Sequence, residues 1–365
     1  MRITRGMKFA TVAFAGVLAL SACSGSGDSD SSDSPSAAAI DCSTGTLSGE
    51  GSTFQKNAIV EWAKLYQTAC PDATINYNPT GSGAGIKQFI AGQVDWGGSD
   101  SALKEEEVPA ATERCTGNEP WNLPMVGGAI TIAYNVEGVD NLVVTPDVAA
   151  AIYLGQITSW DDPAIAADNP DASLPAAPIT VFFRSDESGT TDNFTKWLSA
   201  SAPTVWTAPP AKAWPAGAAG EGKQGNAGLL EAVTANANSI TYLDYSDALA
   251  GGVTTAAVDL GSGPVEATPE TASAAIALAE IVGEGNDLRL KLDYGTTEAG
   301  VYPIVAVAYE IVCSAGLAAD TAALQQSFFT YTSSADGQAA LAEIGYIPLP
   351  ESIDDLVVEA VAALQ

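Results

Sequence analysis

The strongest constraint on the fold is the alternation of two periodicities along the chain. Short runs rich in β-branched and aromatic residues, at 74–78, 129–135, 179–183, 239–243 and 304–313, read as strands. Between them, apolar residues recur three to four apart, as in Ala58, Ile59, Trp62, Leu65 and Tyr66, then Ile86, Phe89 and Ile90, then Phe194, Trp197 and Leu198. That spacing predicts amphipathic helices. Strands alternating with helices predict α/β units on mostly parallel sheets. A length of 365 residues is ample for two such domains. The Ala- and Pro-rich stretch 203–222 predicts a long irregular connection, and Ser352 with Asp354 and Asp355 predicts the capped start of a C-terminal helix.

The first 39 residues follow different rules. Arg2, Arg5 and Lys8 precede an apolar run over 9–20, long enough for an export signal and too short for a stable bilayer span. Leu20-Ser21-Ala22-Cys23 resembles a bacterial lipobox, which implies cleavage after residue 22 and lipid on Cys23. The other reading is an ordinary signal with a chance cysteine. Residues 24–39 hold seven Ser and three Asp with almost nothing apolar, a composition that buries no core. As a random coil such a tether reaches about 20–24 Å. Residues 1–22 are thus expected to be a signal peptide and 23–39 a lipidated flexible tether, with the body held just outside a membrane.

Cys42, Cys70, Cys115 and Cys313 then remain, and an even number in an exported chain favours two disulfides among three possible pairings. Cys42 precedes a strand-like start and Cys70 ends the following helix, which favours Cys42 with Cys70 and leaves Cys115 with Cys313. Metal binding is disfavoured, since there is no C-x-x-C and no histidine.

Charge excludes whole classes of function. The chain has 14 Lys and Arg against 44 Asp and Glu, a net charge of −30, and no histidine. Imidazole chemistry is impossible. Nucleic acid is excluded as a partner, because phosphate backbones are bound by clustered basic residues that are missing here.

Three helix openings are built from small hydrogen-bonding residues: Gly49 to Phe54 (Gly-Glu-Gly-Ser-Thr-Phe), Thr80 to Gly85 (Thr-Gly-Ser-Gly-Ala-Gly), and Ser188 to Thr191 (Ser-Gly-Thr-Thr). A helix N-terminus presents unpaired N–H groups and the positive end of the dipole, so it suits an anion. Ser, Thr and Gly also serve as plain caps, and a single opening of this kind is best read that way. Three in one chain, with Arg184 four residues before Ser188, point to a tetrahedral oxyanion. Asp186 is placed to orient the Arg184 guanidinium. Asp100, in Val-Asp-Trp-Gly-Gly-Ser-Asp, repels an anion unless that anion carries a proton the carboxylate can accept. Phosphate carries one near neutral pH and sulfate does not. The alternative role for Asp100 is a turn or cap.

These segments, in this order, resemble the phosphate-binding lipoproteins of the bacterial phosphate-specific ABC importer. The similarity extends through Phe183 to Thr191, Ile152 to Ile157 with Trp160 to Asp162, Gly225 to Gly228, and Tyr302 to Ile304, and so spans nearly the whole body. The resemblance implies a two-lobed periplasmic-binding-protein fold of type II, α/β with mixed sheets flanked by helices and the ligand in the interdomain cleft. The expected lobes are 40–128 plus 300–365, and 129–299. The implied phosphate ligands are Thr53, Phe54, Ser82, Asp100, Arg184, Ser188, Gly189 and Thr190, with Asp186 pairing to Arg184. The implied partners are inorganic phosphate and the importer's permease and ATPase subunits, with a monomer anchored through lipid at the extracytoplasmic face of the cell membrane and no cofactor or metal. Asp100 would then act as the selectivity filter, since opposing a buried carboxylate to sulfate costs several kcal/mol.

Two competing readings remain. An enzyme would need Ser188 or Thr53 as a nucleophile with Lys56, Lys87 or Lys223 as base. A cell-surface interaction protein or adhesin could keep the scaffold without transport. Gly217 to Lys223 has nucleotide-loop spacing, but Gln224 occupies the place of the Mg²⁺-binding hydroxyl, which makes it a chance match. Glu105, Glu106 and Glu107 are expected to form a solvated helix face.

Overall fold

The structure is a computed structural model that describes residues 40–365. The expected signal, the tether and Cys23 lie outside the described residues. The first third runs β1 (Gly45–Gly51), α1 (Lys56–Ala69), β2 (Ala73–Asn78), α2 (Ser82–Ile90), β3 (Trp96–Ser99), α3 (Val108–Arg114) and β4 (Pro120–Asn135). The middle runs β5 (Val143–Val144), α4 (Pro146–Tyr153), α5 (Pro163–Asp168), β6 (Thr180–Arg184), α6 (Gly189–Ser201), β7 (Glu221–Lys223), α7 (Gly225–Ala235), β8 (Ser239–Asp244), α8 (Tyr245–Gly251) and β9 (Thr254–Asp259). It closes with β10 (Pro264–Val265), α9 (Pro269–Ala277), β11 (Glu280–Ile281), β12 (Leu290–Lys291), β13 (Val305–Cys313), α10 (Ala319–Thr332), α11 (Ala335–Ala342) and α12 (Glu351–Ala362).

The main sheet has the order β2-β1-β3-β13-β4-β8-β6-β7, with β9 also on β4. Each βα unit yields parallel neighbours, as in β1 with β2 and β3, and β6 with β7 and β8. The expectation of a mostly parallel sheet fails at the centre. There, β13 runs antiparallel to both β3 and β4, and β4 antiparallel to β8 and β9. Local periodicity cannot report this, because the pairing joins residues 120–129 to residues 305–313. Strand β4 serves both halves: its first part pairs with β13 and its last six residues pair with β8. Fifteen of its sixteen residues are buried, which fits a strand covered on both faces.

The chain end returns to its beginning. Helix α10 packs on β1 and α11 on α1, where Trp62 Nε1 donates to the Gly337 carbonyl at 2.7 Å. Disulfides join Cys42 to Cys70 and Cys115 to Cys313, the favoured pairing. Two local expectations are corrected. Glu105–Glu107 form a turn ahead of α3 rather than a helix face, because Pro109 in the first turn sets the helix start after them. Helix α12 begins at Glu351 with Pro350 as its cap, so Ser352 lies inside the first turn. Among the described residues, no helix is long and apolar enough to cross a membrane.

Candidate functional site

The three small-residue openings meet. Helix α1 is entered through Ser52, Thr53 and Phe54, α2 through Gly81 and Ser82, and α6 through Ser188, Gly189 and Thr190, and all of these polar side chains are buried. Backbone contact joins the openings: Gly81 N donates to the Gly51 carbonyl at 2.7 Å and Gly83 N to the Glu187 carbonyl at 2.9 Å. Glycine is required at 189, where an added Cβ would fall 2.5 Å from Ser82 Oγ and 2.6 Å from Asp100 Cβ. The Phe54 ring is fully buried against Tyr346 and fills the space that Gly128 of β4 leaves, which fixes the direction of the adjoining backbone.

Arg184 ends β6 and is 1% exposed, so its charge must be matched locally. Its Nε donates to Asp186 Oδ1 at 2.8 Å, Nη2 pairs with Asp186 Oδ2, and Nη1 donates to Asn226 Oδ1 at 2.7 Å. Three of the five guanidinium N–H groups are thereby engaged, and two remain for a ligand. Burial works to raise the Asp186 carboxyl, but the bonds and charge of Arg184 overcome it and hold the carboxyl below its ordinary range.

Asp100 follows β3 and is 3% exposed. Ser52 Oγ donates to its Oδ1, and Thr190 Oγ1 lies 3.4 Å from its Oδ2. Its backbone N–H donates to Ser82 Oγ at 3.1 Å, and its carbonyl accepts from Asn193 Nδ2 at 2.7 Å. Burial raises its pKa to about 6, while the Ser52 hydroxyl, the Arg184 charge, Ser82 and Thr190 oppose the rise. At pH 7 the carboxylate is then the main form. The centre is therefore an ionised acceptor beside one guanidinium, surrounded by hydroxyls and helix-end amides.

Every expected ligand residue lies in this one cluster: Thr53, Phe54, Ser82, Asp100, Arg184, Ser188, Gly189 and Thr190, with Asp186 on the guanidinium. Sequence reasoning missed a fourth helix opening, that of α7. Gly225, at φ +68°, donates its N–H to Asp186 Oδ1 at 3.0 Å, and Asn226 N approaches Thr53 Oγ1 at 3.4 Å. Asn226 also bridges Arg184 to the buried Asp244, its Nδ2 donating at 2.6 Å. Burial, then the neighbouring Asp247, push the Asp244 carboxyl well up. Gly225-Asn226 was available as a signal, since a Gly before a polar residue at a helix start matches the other openings. Ser52, within the first opening, was also left without a role.

Two of the three lysines of the enzyme reading are engaged elsewhere: Lys87 pairs with Glu187 at 2.6 Å and Lys223 with Glu221 at 2.6 Å. Beside Asp100 opens a cavity of about 370 Å³, lined in part by Asn193, Lys196, Leu292, Tyr294 and Tyr309.

A profile described as the PBP superfamily domain matches residues 36–336. The chain is 40% identical over 372 aligned residues to the Mycobacterium tuberculosis H37Rv protein named phosphate-binding protein PstS 3, covering all of both chains. It is 31% identical to the phosphate-binding protein PstS of Methanocaldococcus jannaschii, covering 85% of this chain and 84% of that one. Among solved structures, a high-affinity periplasmic phosphate-binding protein bound with phosphate aligns at TM-score 0.70 and 22% identity, over 86% of this chain and 93% of that one. A Clostridium perfringens phosphate ABC transporter substrate-binding protein, described as putative and holding phosphate, aligns at TM-score 0.61 and 22% identity, over 84% and 100%. Identities that low establish the shared α/β periplasmic-binding-protein fold alone. The full-length identity to PstS proteins carries further, and the chain belongs to the PBP superfamily, within its PstS family of phosphate-binding proteins.

Proposed function

We propose that this protein binds inorganic phosphate with high affinity outside the cell membrane and delivers it to an ABC importer. The observation that carries the reading is the buried Asp100 carboxyl set among Ser52, Thr190 and the openings of α1, α2 and α6, with Arg184 acting on it. Thr53 and Phe54, Ser82, and Ser188, Gly189 and Thr190 are the donors to the phosphate oxygens, and Arg184 supplies the one cation. Asp100 accepts the proton that phosphate carries and sulfate lacks. Hydrogen bonds to a charged ligand contribute about 1.5–3 kcal/mol each, so several of them reach a Kd near or below ~1 µM after association costs. The net charge of −30 does not prevent this, since charges beyond a Debye length of about 8 Å are screened.

In this reading two lobes, 40–128 plus 300–365 and 129–299, would hold the ligand between them, with β4 running from one into the other. Lobe closure over the ligand would form the surface that permease and ATPase subunits respond to. Lipid on Cys23 would hold the monomer at the extracytoplasmic face of the membrane. A binding role is supported over catalysis by kinship with substrate-binding proteins, by the lack of histidine, and by Lys87 and Lys223 pairing with glutamates rather than with Ser188 or Thr53. Calorimetry on the signal-free protein tests the reading. Phosphate is expected to bind at or below micromolar Kd with sulfate silent; equal heats from both ions would refute it, and hydrolysis of a chromogenic phosphoester would favour an enzyme.

A further inference from the structure

Strand β13 carries one acidic side chain into the core next to the site. Glu310 is fully buried, opposite Gly98 of β3 and Leu123 of β4. Among the described residues its carboxyl takes one hydrogen bond, from Gln55 Nε2 3.3 Å from Oε2, and Oε1 has no partner. Gln55 is the N-cap residue of α1 and directly follows Phe54. The same Nε2 donates to Tyr77 Oη at 3.1 Å, and Tyr77 Oη donates to the Ser52 carbonyl at 2.7 Å. The space for this network exists because residue 98 is glycine: a Cβ there would fall 2.2 Å from Gln55 Nε2 and 2.4 Å from Tyr77 Oη.

The groups facing Glu310 bring no positive charge. Tyr77 comes from β2, Asp100 from the turn after β3, uncharged Gln55 from α1, and Leu123 from β4, with Glu50 of β1 beside Tyr77. Burial, then Asp100, push the Glu310 carboxyl well up, and only Gln55 opposes them. Arg184, which pairs with Asp186 and also acts on Asp100, is not among the groups that act on Glu310. An isolated buried charge is the costliest arrangement available, and protonation removes it.

We propose that Glu310 is a positioning residue for the phosphate site, an uncharged acceptor that fixes the N-cap of α1 through Gln55 and keeps a second negative charge away from Asp100. This rests on the phosphate reading above. Glutamine at 310 retains an acceptor and cannot ionise, whereas leucine retains neither the acceptor nor the charge.

The test uses wild type, E310Q and E310L. At pH 7, calorimetry with inorganic phosphate should place E310Q within about threefold of wild type and E310L at least tenfold weaker. Urea unfolding without phosphate, from pH 4.5 to 8, should show E310Q gaining stability over wild type as pH rises. The sign follows from linkage: a carboxyl raised in the folded state contributes stability at low pH and loses it as pH climbs through the folded value. A pH-independent difference, an E310Q affinity changed by more than threefold, or an E310L affinity equal to wild type would each overturn the proposal. Should E310L not fold, the E310Q measurements decide. Wild type failing to bind phosphate would refute the functional reading instead, and the unfolding series would still report the charge of Glu310.

Discussion

Gly189→Ala isolates the contact between the α6 opening and Asp100. The new Cβ would lie 2.5 Å from Ser82 Oγ, 2.6 Å from Asp100 Cβ and 2.7 Å from Asp100 Oδ2. The serine hydroxyl can rotate away, but Asp100 Cβ is one bond from the backbone and cannot. Ordinary contact begins at 3.4 Å, so the α6 opening and the Asp100 segment must part by about 0.8 Å. The Thr190–Asp100 contact, already at 3.4 Å, is then lost, and the 2.7 Å bond from Asn193 to the Asp100 carbonyl stretches to the limit of a hydrogen bond. A phosphate gripped from both sides loses two of its bonds on one side, at about 1.5–3 kcal/mol each. The expected cost is therefore about 3–6 kcal/mol, a Kd weakened by about 10²–10⁴-fold. The clash exists without ligand too, and overpacking of about 1–3 kcal/mol outweighs alanine's helix-propensity gain of about 1 kcal/mol, so ligand-free stability should fall by up to about 2 kcal/mol, less than the loss in binding. Calorimetry with phosphate, paired with ligand-free unfolding, separates the two effects. A Gly189→Ala protein binding within threefold of wild type would refute the steric argument and the placement of the ligand.

Arg184→Ala should weaken phosphate binding by more than tenfold, over ~1.4 kcal/mol, and calorimetry showing intact affinity would move the site elsewhere. Asp100→Asn should keep phosphate binding and lose part of the rejection of sulfate; unchanged rejection in a competition titration would remove Asp100 from the filter. The same variant should gain stability over wild type as pH rises from about 4 to about 6, because the Asp100 carboxyl is raised on folding to about 6 and loses its stabilising contribution across that window. Ligand-free urea titrations with a flat difference would contradict it. Removing the Cys115–Cys313 bridge, whose cysteines are 198 positions apart, should cost about 5 kcal/mol, and removing Cys42–Cys70, 28 apart, about 3.5. Serine double variants compared by urea unfolding check the order.

Much of the fold was legible where side chains alternate between water and core. The pattern at Ala58, Ile59, Trp62 and Tyr66 became the buried face of α1, and the run at 239–243 became β8. Strand β1 shows in the sequence only as a strand-like start after Cys42, and β3 does not show at all. Their sequences, Gly-Thr-Leu-Ser-Gly-Glu-Gly and Trp-Gly-Gly-Ser, look like loops by composition. The glycines are there because neighbours press close: a Cβ on Gly49 would enter the Trp96 ring at 2.1 Å, and one on Gly51 would meet the Gly98 carbonyl at 2.0 Å. That requirement belongs to the partner strand and leaves no trace in local periodicity.

The site divides in the same way. Sequence alone determined which residues could hold an anion, because Ser, Thr and Gly at helix starts and an Arg at a strand end have a local chemistry that travels with them. It also excluded imidazole chemistry by count and argued against a polyanionic partner. Tertiary structure decided that four openings converge, that Asn226 ties Arg184 to Asp244, and that Glu310 stands unpartnered behind Asp100. The place of Glu310 depends on pairing between β13 and both β3 and β4, contacts made across about two hundred residues of chain. Burial then sets the charge of each acid, and burial is a property of the assembled fold and not of any segment within it.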